Sequence, residues 1–215
     1  MSAAVGHYLK VRAHNQSRGT DPLKYWRFGV ERLKEAFSLF ARGQIKELLA
    51  RACNKGTKTE TVAAFVLACC RKMKTLDGVP LPQWRGPVEA AQFVLDYKLE
   101  LLSVQAAYLR LIGQHPHHPV KNGEYLSTLH IMPEGGDPND ESDWSVIHFI
   151  SLKNPEAGVG ARADIAAFDE PPPMRVLREM RKAPHFGRLG IRIIDLTPTV
   201  MSRWVELREI GRAHV

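Results

Sequence analysis

Ala163-Asp164-Ile165-Ala166-Ala167-Phe168-Asp169-Glu170-Pro171-Pro172-Pro173 is an apolar run that ends in two adjacent carboxylates and a proline stop. Ile165 to Phe168 has the length and apolarity of a buried strand, and the prolines forbid its continuation. A strand of this kind, ending in Asp-Glu at the carboxyl edge of a sheet, suits a magnesium ion held beside a water-activating base, the chemistry of ATP hydrolysis.

After this strand a proline-led helix is predicted over Pro173 to Lys182, and Gly190 to Leu196 forms a further strand closed by Thr197-Pro198-Thr199. Upstream, the spacing of Tyr25, Trp26, Phe28, Val30, Leu33, Ala36, Phe37 and Phe40 predicts an amphipathic helix over Asp21 to Phe40 that packs on the main domain. Ile45 to Ala52 reads as a strand feeding a turn, Lys58 to Lys74 as a helix, and Leu76 to Pro87 as a loop rich in Gly and Pro. Val88 to Leu95 is a strand and Leu99 to Ile112 a helix. Gly113 to Asn122 is expected to be loop, while Tyr125 to Met132 and Trp144 to Leu152 are two strands, a possible hairpin. Strands alternating with helices imply an α/β fold with a mainly parallel sheet flanked by helices.

Composition bounds the class. The 215 residues are 44% hydrophobic, enough for one main domain. Thirty Lys and Arg against 23 Asp and Glu give a net charge of +7, which suits a polyanionic partner such as nucleic acid, although a solvated basic surface has the same composition. Cys53, Cys69 and Cys70 lack CxxC or disulfide spacing and fit a reducing compartment. Neither a signal peptide nor a run of eighteen apolar residues occurs, so the chain reads as soluble and cytoplasmic.

Ala52-Cys53-Asn54-Lys55-Gly56-Thr57-Lys58-Thr59 lies across the first predicted turn. A phosphate loop of the form G-x-x-x-x-G-K-[ST] needs small residues so that backbone N–H groups close around phosphate, a lysine for the outer phosphates and a hydroxyl for magnesium. Here Ala52 and Thr57 stand where glycines belong, and a glycine comes one place early at Gly56; the β-branched Thr57 is ill suited to a positive φ. Alone, the segment reads equally as a capped Lys-Thr helix start. Its companion is the carboxylate pair about 110 residues later, since both are predicted to end strands at the edge where open α/β sheets bind ligands.

Asn54-Lys55-Gly56-Thr57-Lys58-Thr59-Glu60, Leu76-Asp77-Gly78-Val79-Pro80-Leu81-Pro82, Gly160-Ala161-Arg162-Ala163-Asp164, Phe168-Asp169-Glu170-Pro171-Pro172 and Leu196-Thr197-Pro198 together resemble the ATPase part of a tailed-phage terminase large subunit, over about Gln44 to Arg208. The resemblance implies a P-loop NTPase fold over residues 44–209, a helical lead-in over 1–43, and ATP and Mg2+ as cofactors. Asn54, Lys55, Gly56, Thr57, Lys58 and Thr59 would form the phosphate loop, with Lys58 on the β- and γ-phosphates and Thr59 on magnesium. Asp169 would hold the same ion and Glu170 would orient and deprotonate the attacking water. Thr197 would couple hydrolysis to motion, although it equally serves to end a strand. Arg162 is the leading candidate for neutralising transition-state charge, with Arg51, Lys55 and Arg188 as others.

The implied activity is ATP-driven translocation of double-stranded DNA into a prohead in the host cell cytoplasm. A homo-oligomeric ring, the portal protein and the small terminase subunit would be its partners, with no membrane. A helicase-like DNA-dependent ATPase and a non-hydrolysing nucleotide- or DNA-binding module are the alternatives. On the predicted 173–182 helix, Arg175, Arg178, Arg181 and Lys182 face outward, towards DNA phosphates or solvent. His115-Pro116-His117-His118 is read as a polar surface loop in preference to a metal site. Terminase large subunits continue into a nuclease domain, for which this chain leaves no room. Its last six residues, 210–215, match the translation of a sequencing adapter, so the natural reading frame is expected to run on past Glu209.

Overall fold

The structure is a computed structural model that describes residues 19–29, 31–51, 58–94, 100–153, 162–184 and 188–196. Its centre is a seven-stranded mixed sheet. In chain order the strands are β1 (Glu47–Arg51), the two-residue β2 (Thr75–Leu76) and β3 (Val79–Pro80), β4 (Glu89–Val94), β5 (His117–Asn122), β6 (Tyr125–Ile131), β7 (Ser145–Ser151), β8 (Ile165–Asp169) and β9 (Ile191–Leu196). The helices are α1 (Glu31–Ala41), α2 (Lys58–Cys70), α3 (Glu100–Ile112) and α4 (Met174–Met180). The sheet order is β1-β9-β8-β4-β7-β6-β5, parallel from β1 to β7 and antiparallel across β7, β6 and β5. This is the expected α/β class, and the predicted strands around Ile165 and Ile191 lie side by side.

Burial explains the layers. From Thr61 to Cys70 every residue of α2 is buried, as required of a helix held between a sheet and further helices. With α3 it covers one sheet face, on Ala90, Val94, Ile165, Ala167, Ile191 and Ile193. The other face carries α4, whose Val176, Leu177 and Met180 pack on Ala91, Phe93, Ala166, Phe168 and Ile194. Stacking of Phe93 on Phe168, with ring centroids 4.6 Å apart, ties β4 to β8 there. The outward residues of α4 are Arg175, Arg178 and the Arg181 and Lys182 that follow it, all exposed. Arg181 pairs with Glu47 at 3.1 Å and Lys182 with Glu179 at 3.3 Å.

The lead-in docks on α2 through aromatic rings: Phe37 and Phe40 lie 4.5 and 5.8 Å from Phe65. It is not one helix from Asp21 to Phe40, however. A 3-10 turn over Pro22–Tyr25 precedes α1, and between them the Phe28 N–H donates to the Asp77 carboxylate at 3.2 Å. A backbone donor committed to a distant side chain cannot serve a helical bond, so tertiary contact overrides the local periodicity. The loop expected over Gly113 to Asn122 is likewise corrected, since His117–Asn122 is the edge strand β5. Its exposed, proline-containing sequence lacks alternation, and edge strands tolerate both. The expected loop from Leu76 holds the β2–β3 hairpin, turning through Asp77 (φ +50°) and Gly78 (φ +77°), the Asp-Gly signature of a two-residue turn.

Asp21 fastens the lead-in more strongly. It accepts two hydrogen bonds from the fully buried Arg71, at 2.7 and 2.8 Å. Burial by itself would raise the Asp21 carboxyl; the Arg71 bonds and charge, helped by Lys24, outweigh it and hold the pKa at about 2. A folded-state pKa below the unfolded one stabilises the fold above the unfolded value, and that contribution is lost as pH falls from about 4 to about 2. The stability gap between the parent and Asp21→Asn is therefore expected to close over that window in acid-titrated denaturant melts; a gap independent of pH would contradict it.

Among the described residues no helix is long and apolar enough to cross a membrane.

Candidate functional site

The ends of three parallel strands build the site. β1 stops at Arg51 and α2 opens at Lys58, giving the expected strand, connection and helix. Residues 52–57, including Asn54, Lys55, Gly56 and Thr57, lie outside the described residues, as does Thr197. Lys58 and Thr59 form the first turn of α2, the end of a helix where backbone N–H groups and the helix dipole favour anions.

Asp169 is the last residue of β8. Along β8, Ile165 and Ala167 face α2 while Ala166 and Phe168 face α4, so strand alternation turns Asp169 to the α2 side. Glu170, the next residue, has φ +84°. That left-handed conformation is costly for a residue with a Cβ, and such strain concentrates at functional positions. Its N–H donates to the Asp195 carbonyl at 2.8 Å.

Asp195 was not among the residues expected from sequence. It is paired in register with Asp169 on one side and Ala50 on the other. It also shares the α2 face with Ile191 and Ile193. Neighbouring strands run roughly 4.8 Å apart, so the two aspartates are direct cross-strand neighbours. Asp195 Oδ1 lies 2.9 Å from Lys58 Nζ. Burial pushes the Asp195 carboxyl above its ordinary value; the Lys58 ammonium beside it pulls it down in part, and Glu170 adds to the rise. The signal for it was a carboxylate in Ile193-Ile194-Asp195-Leu196, the same apolar-run-then-acid pattern as Phe168-Asp169.

The arrangement thus brings an ammonium, two cross-strand carboxylates and a third carboxylate on strained backbone to one sheet edge, with Thr59 next to Lys58 in the first turn of α2. The Thr59 hydroxyl and the Asp169 and Asp195 carboxylates are hard oxygen donors of the kind Mg2+ takes, so the donor chemistry fits that ion. Lys58 and the α2 N-terminus fit the phosphates of a nucleotide.

Other candidates lie elsewhere. Arg162 is exposed and precedes β8 by three residues, which puts it beyond the amino end of the strand, roughly 20 Å along the chain direction from Asp169 at about 3.3 Å per residue. Arg188 is also at the amino edge, 3.0 Å from the fully buried Asp164 and donating to the Pro87 carbonyl at 3.0 Å. Neither joins Lys58, Asp169 and Glu170 within one chain. Proximity in sequence to a strand is uninformative unless the strand's direction is considered.

The histidine segment also resolves. Ligand atoms of Asp21, His115 and Glu134 come within 4.8 Å of one another, but the Arg71 guanidinium already bonds both carboxylates, and His115 Nε2 donates to the Met132 carbonyl at 2.7 Å. Burial holds the His115 pKa down. A cation is already in place, which makes this cluster a structural tie.

Comparison of the chain with family models gave no match, and comparison with curated proteins gave none.

Proposed function

We propose that the carboxyl edge of β1, β8 and β9 is a P-loop-type ATP site, and that the protein is the ATPase motor part of a tailed-phage terminase large subunit. The observation that carries this reading is the convergence of Lys58 with Asp169 and Glu170, residues about 110 positions apart, at one end of a parallel sheet. The strained φ at Glu170, the residue proposed as base, supports it.

In this reading Lys58 and the first turn of α2 bind and orient the β- and γ-phosphates, with Asn54 to Thr57 closing the loop. Thr59 and Asp169 hold Mg2+, which when bound neutralises phosphate charge during transfer. Glu170 holds the attacking water and takes its proton at the carboxylate. Thr197, following β9, links the site to motion. Arg162's position at the amino edge confines any charge-neutralising role to the site of a neighbouring subunit in a ring. The proposed partners are double-stranded DNA, the portal protein and the small terminase subunit, in the host cytoplasm. The net charge of +7 favours sequence-independent contact with DNA phosphates.

The test is steady-state ATP hydrolysis with and without double-stranded DNA. The reading predicts Mg2+-dependent turnover that DNA stimulates and that Lys58→Ala removes. DNA-stimulated turnover that survives both Lys58→Ala and Glu170→Gln would show that the site is wrongly assigned.

A further inference from the structure

Apart from the oxygen that Asp195 offers to Mg2+, the Lys58–Asp195 pair has a specific geometry of its own. The two side chains are only 12% and 4% exposed, with Nζ and Oδ1 2.9 Å apart. A buried charge is tolerated only with a partner, and here each group supplies one to the other. Nucleotide binding, however, requires the same ammonium at the phosphates. Asp195 has a second connection, since its backbone carbonyl accepts the N–H of Glu170 at 2.8 Å. One residue therefore holds the phosphate-binding lysine by its side chain and the base-bearing backbone by its main chain.

We infer that Asp195 is a positioning residue that holds Lys58 in the nucleotide-free protein as a stand-in for phosphate, and that ATP binds by displacing this carboxylate from the ammonium. The inference rests on the ATP site proposed above. Asp195 sits on the strand between β1 and β8, so it cannot follow the lysine outward; Lys58, on its flexible four-carbon stem, makes the exchange. The latch keeps the lysine ordered and close to its target, at the cost of competing with the nucleotide.

Equilibrium binding of a fluorescent ATP analogue at constant Mg2+ tests this on the whole chain, with Asp195→Asn, Asp195→Ser, Lys58→Ala and the double variant Lys58→Ala/Asp195→Asn. Thermal melts with and without ATP run alongside. Asp195→Asn is expected to melt lower than the parent without nucleotide but to bind ATP more tightly, on the order of tenfold, the lower range for linked binding events. Its ATP-induced stabilisation grows accordingly, a change that a purely structural residue would not produce. In the Lys58→Ala background the same substitution is expected to change affinity by no more than about twofold, because the competition runs through Lys58. Asp195→Ser repeats the gain without relying on a buried amide, and the double variant, free of both charges, keeps the fold.

Equal or weaker ATP binding in both Asp195 variants, beside a parent whose binding depends on Lys58, overturns the latch and leaves the ATP site standing. An undiminished gain in the Lys58→Ala background assigns the effect to direct repulsion of phosphate and also overturns the latch. A parent chain that binds no ATP overturns the proposed site, and the latch with it.

Discussion

Replacing Glu170 with Gln is expected to lower ATP turnover by roughly 10²–10⁴-fold, the range a positioned general base contributes, while ATP affinity stays within a few-fold of the parent. The substitution keeps size and shape and removes only the ability to take a proton. Glu170 is anchored through its N–H, which the Asp195 carbonyl accepts at 2.8 Å, and that bond is independent of the side chain. The backbone at φ +84° is therefore retained, and the contacts proposed between Lys58 and phosphate are untouched. Single-turnover hydrolysis with DNA, measured beside nucleotide binding, separates the two effects. Turnover within tenfold of the parent would remove Glu170 from the role of base.

Arg71→Ala is expected to destabilise the fold by about 3 kcal/mol, the lower end for breaking a buried ion pair, because the partner carboxylates are only partly buried and water can relieve them. Arg71 is fully buried, while Asp21 and Glu134 are 18% and 36% exposed. Its guanidinium bonds Asp21 through two nitrogens and Glu134 through Nε and Nη2. Its carbonyl accepts the Glu134 N–H at 2.7 Å. Truncation thus loosens three segments at once: the lead-in at Asp21, the end of α2, and the turn after β6. Denaturant unfolding gives the quantity directly; a loss below about 1 kcal/mol, the value of an exposed pair, would mean the cluster is solvated in solution.

These expectations depend on parts of the protein that differed in how well they could be read in the sequence. The β8 strand and the helix after it were legible because an apolar run, an acid and a proline stop are all local signals. So was the start of α2, although the helix expected to reach Lys74 stops at Cys70 and is buried on every side from Thr61 onward. The edge strand β5 was not, because exposed strands carry no alternation to detect. The break before α1 was hidden for a different reason: its cause is Asp77, 49 residues away from Phe28.

In the candidate site, Asp169 and Glu170 are suggested by their neighbours in sequence, and Lys58 by a loop pattern that Ala52 and Thr57 make irregular. Asp195 was missed because its meaning comes from the sheet order. Only when β9 lies between β1 and β8 does a carboxylate near its end meet both Lys58 and Asp169. Arg162 illustrates the same point: adjacency to β8 puts it at the strand's start, while Asp169 and Glu170 lie at the strand's finish.

The most direct measurement of the central claim is calorimetric titration of the purified chain with ATP and Mg2+, beside Lys58→Ala. The account predicts saturable binding of one nucleotide per chain, weakened more than tenfold when the Lys58 ammonium is removed, as expected for loss of a charge-assisted contact to phosphate. No binding, or binding indifferent to Lys58, would contradict it.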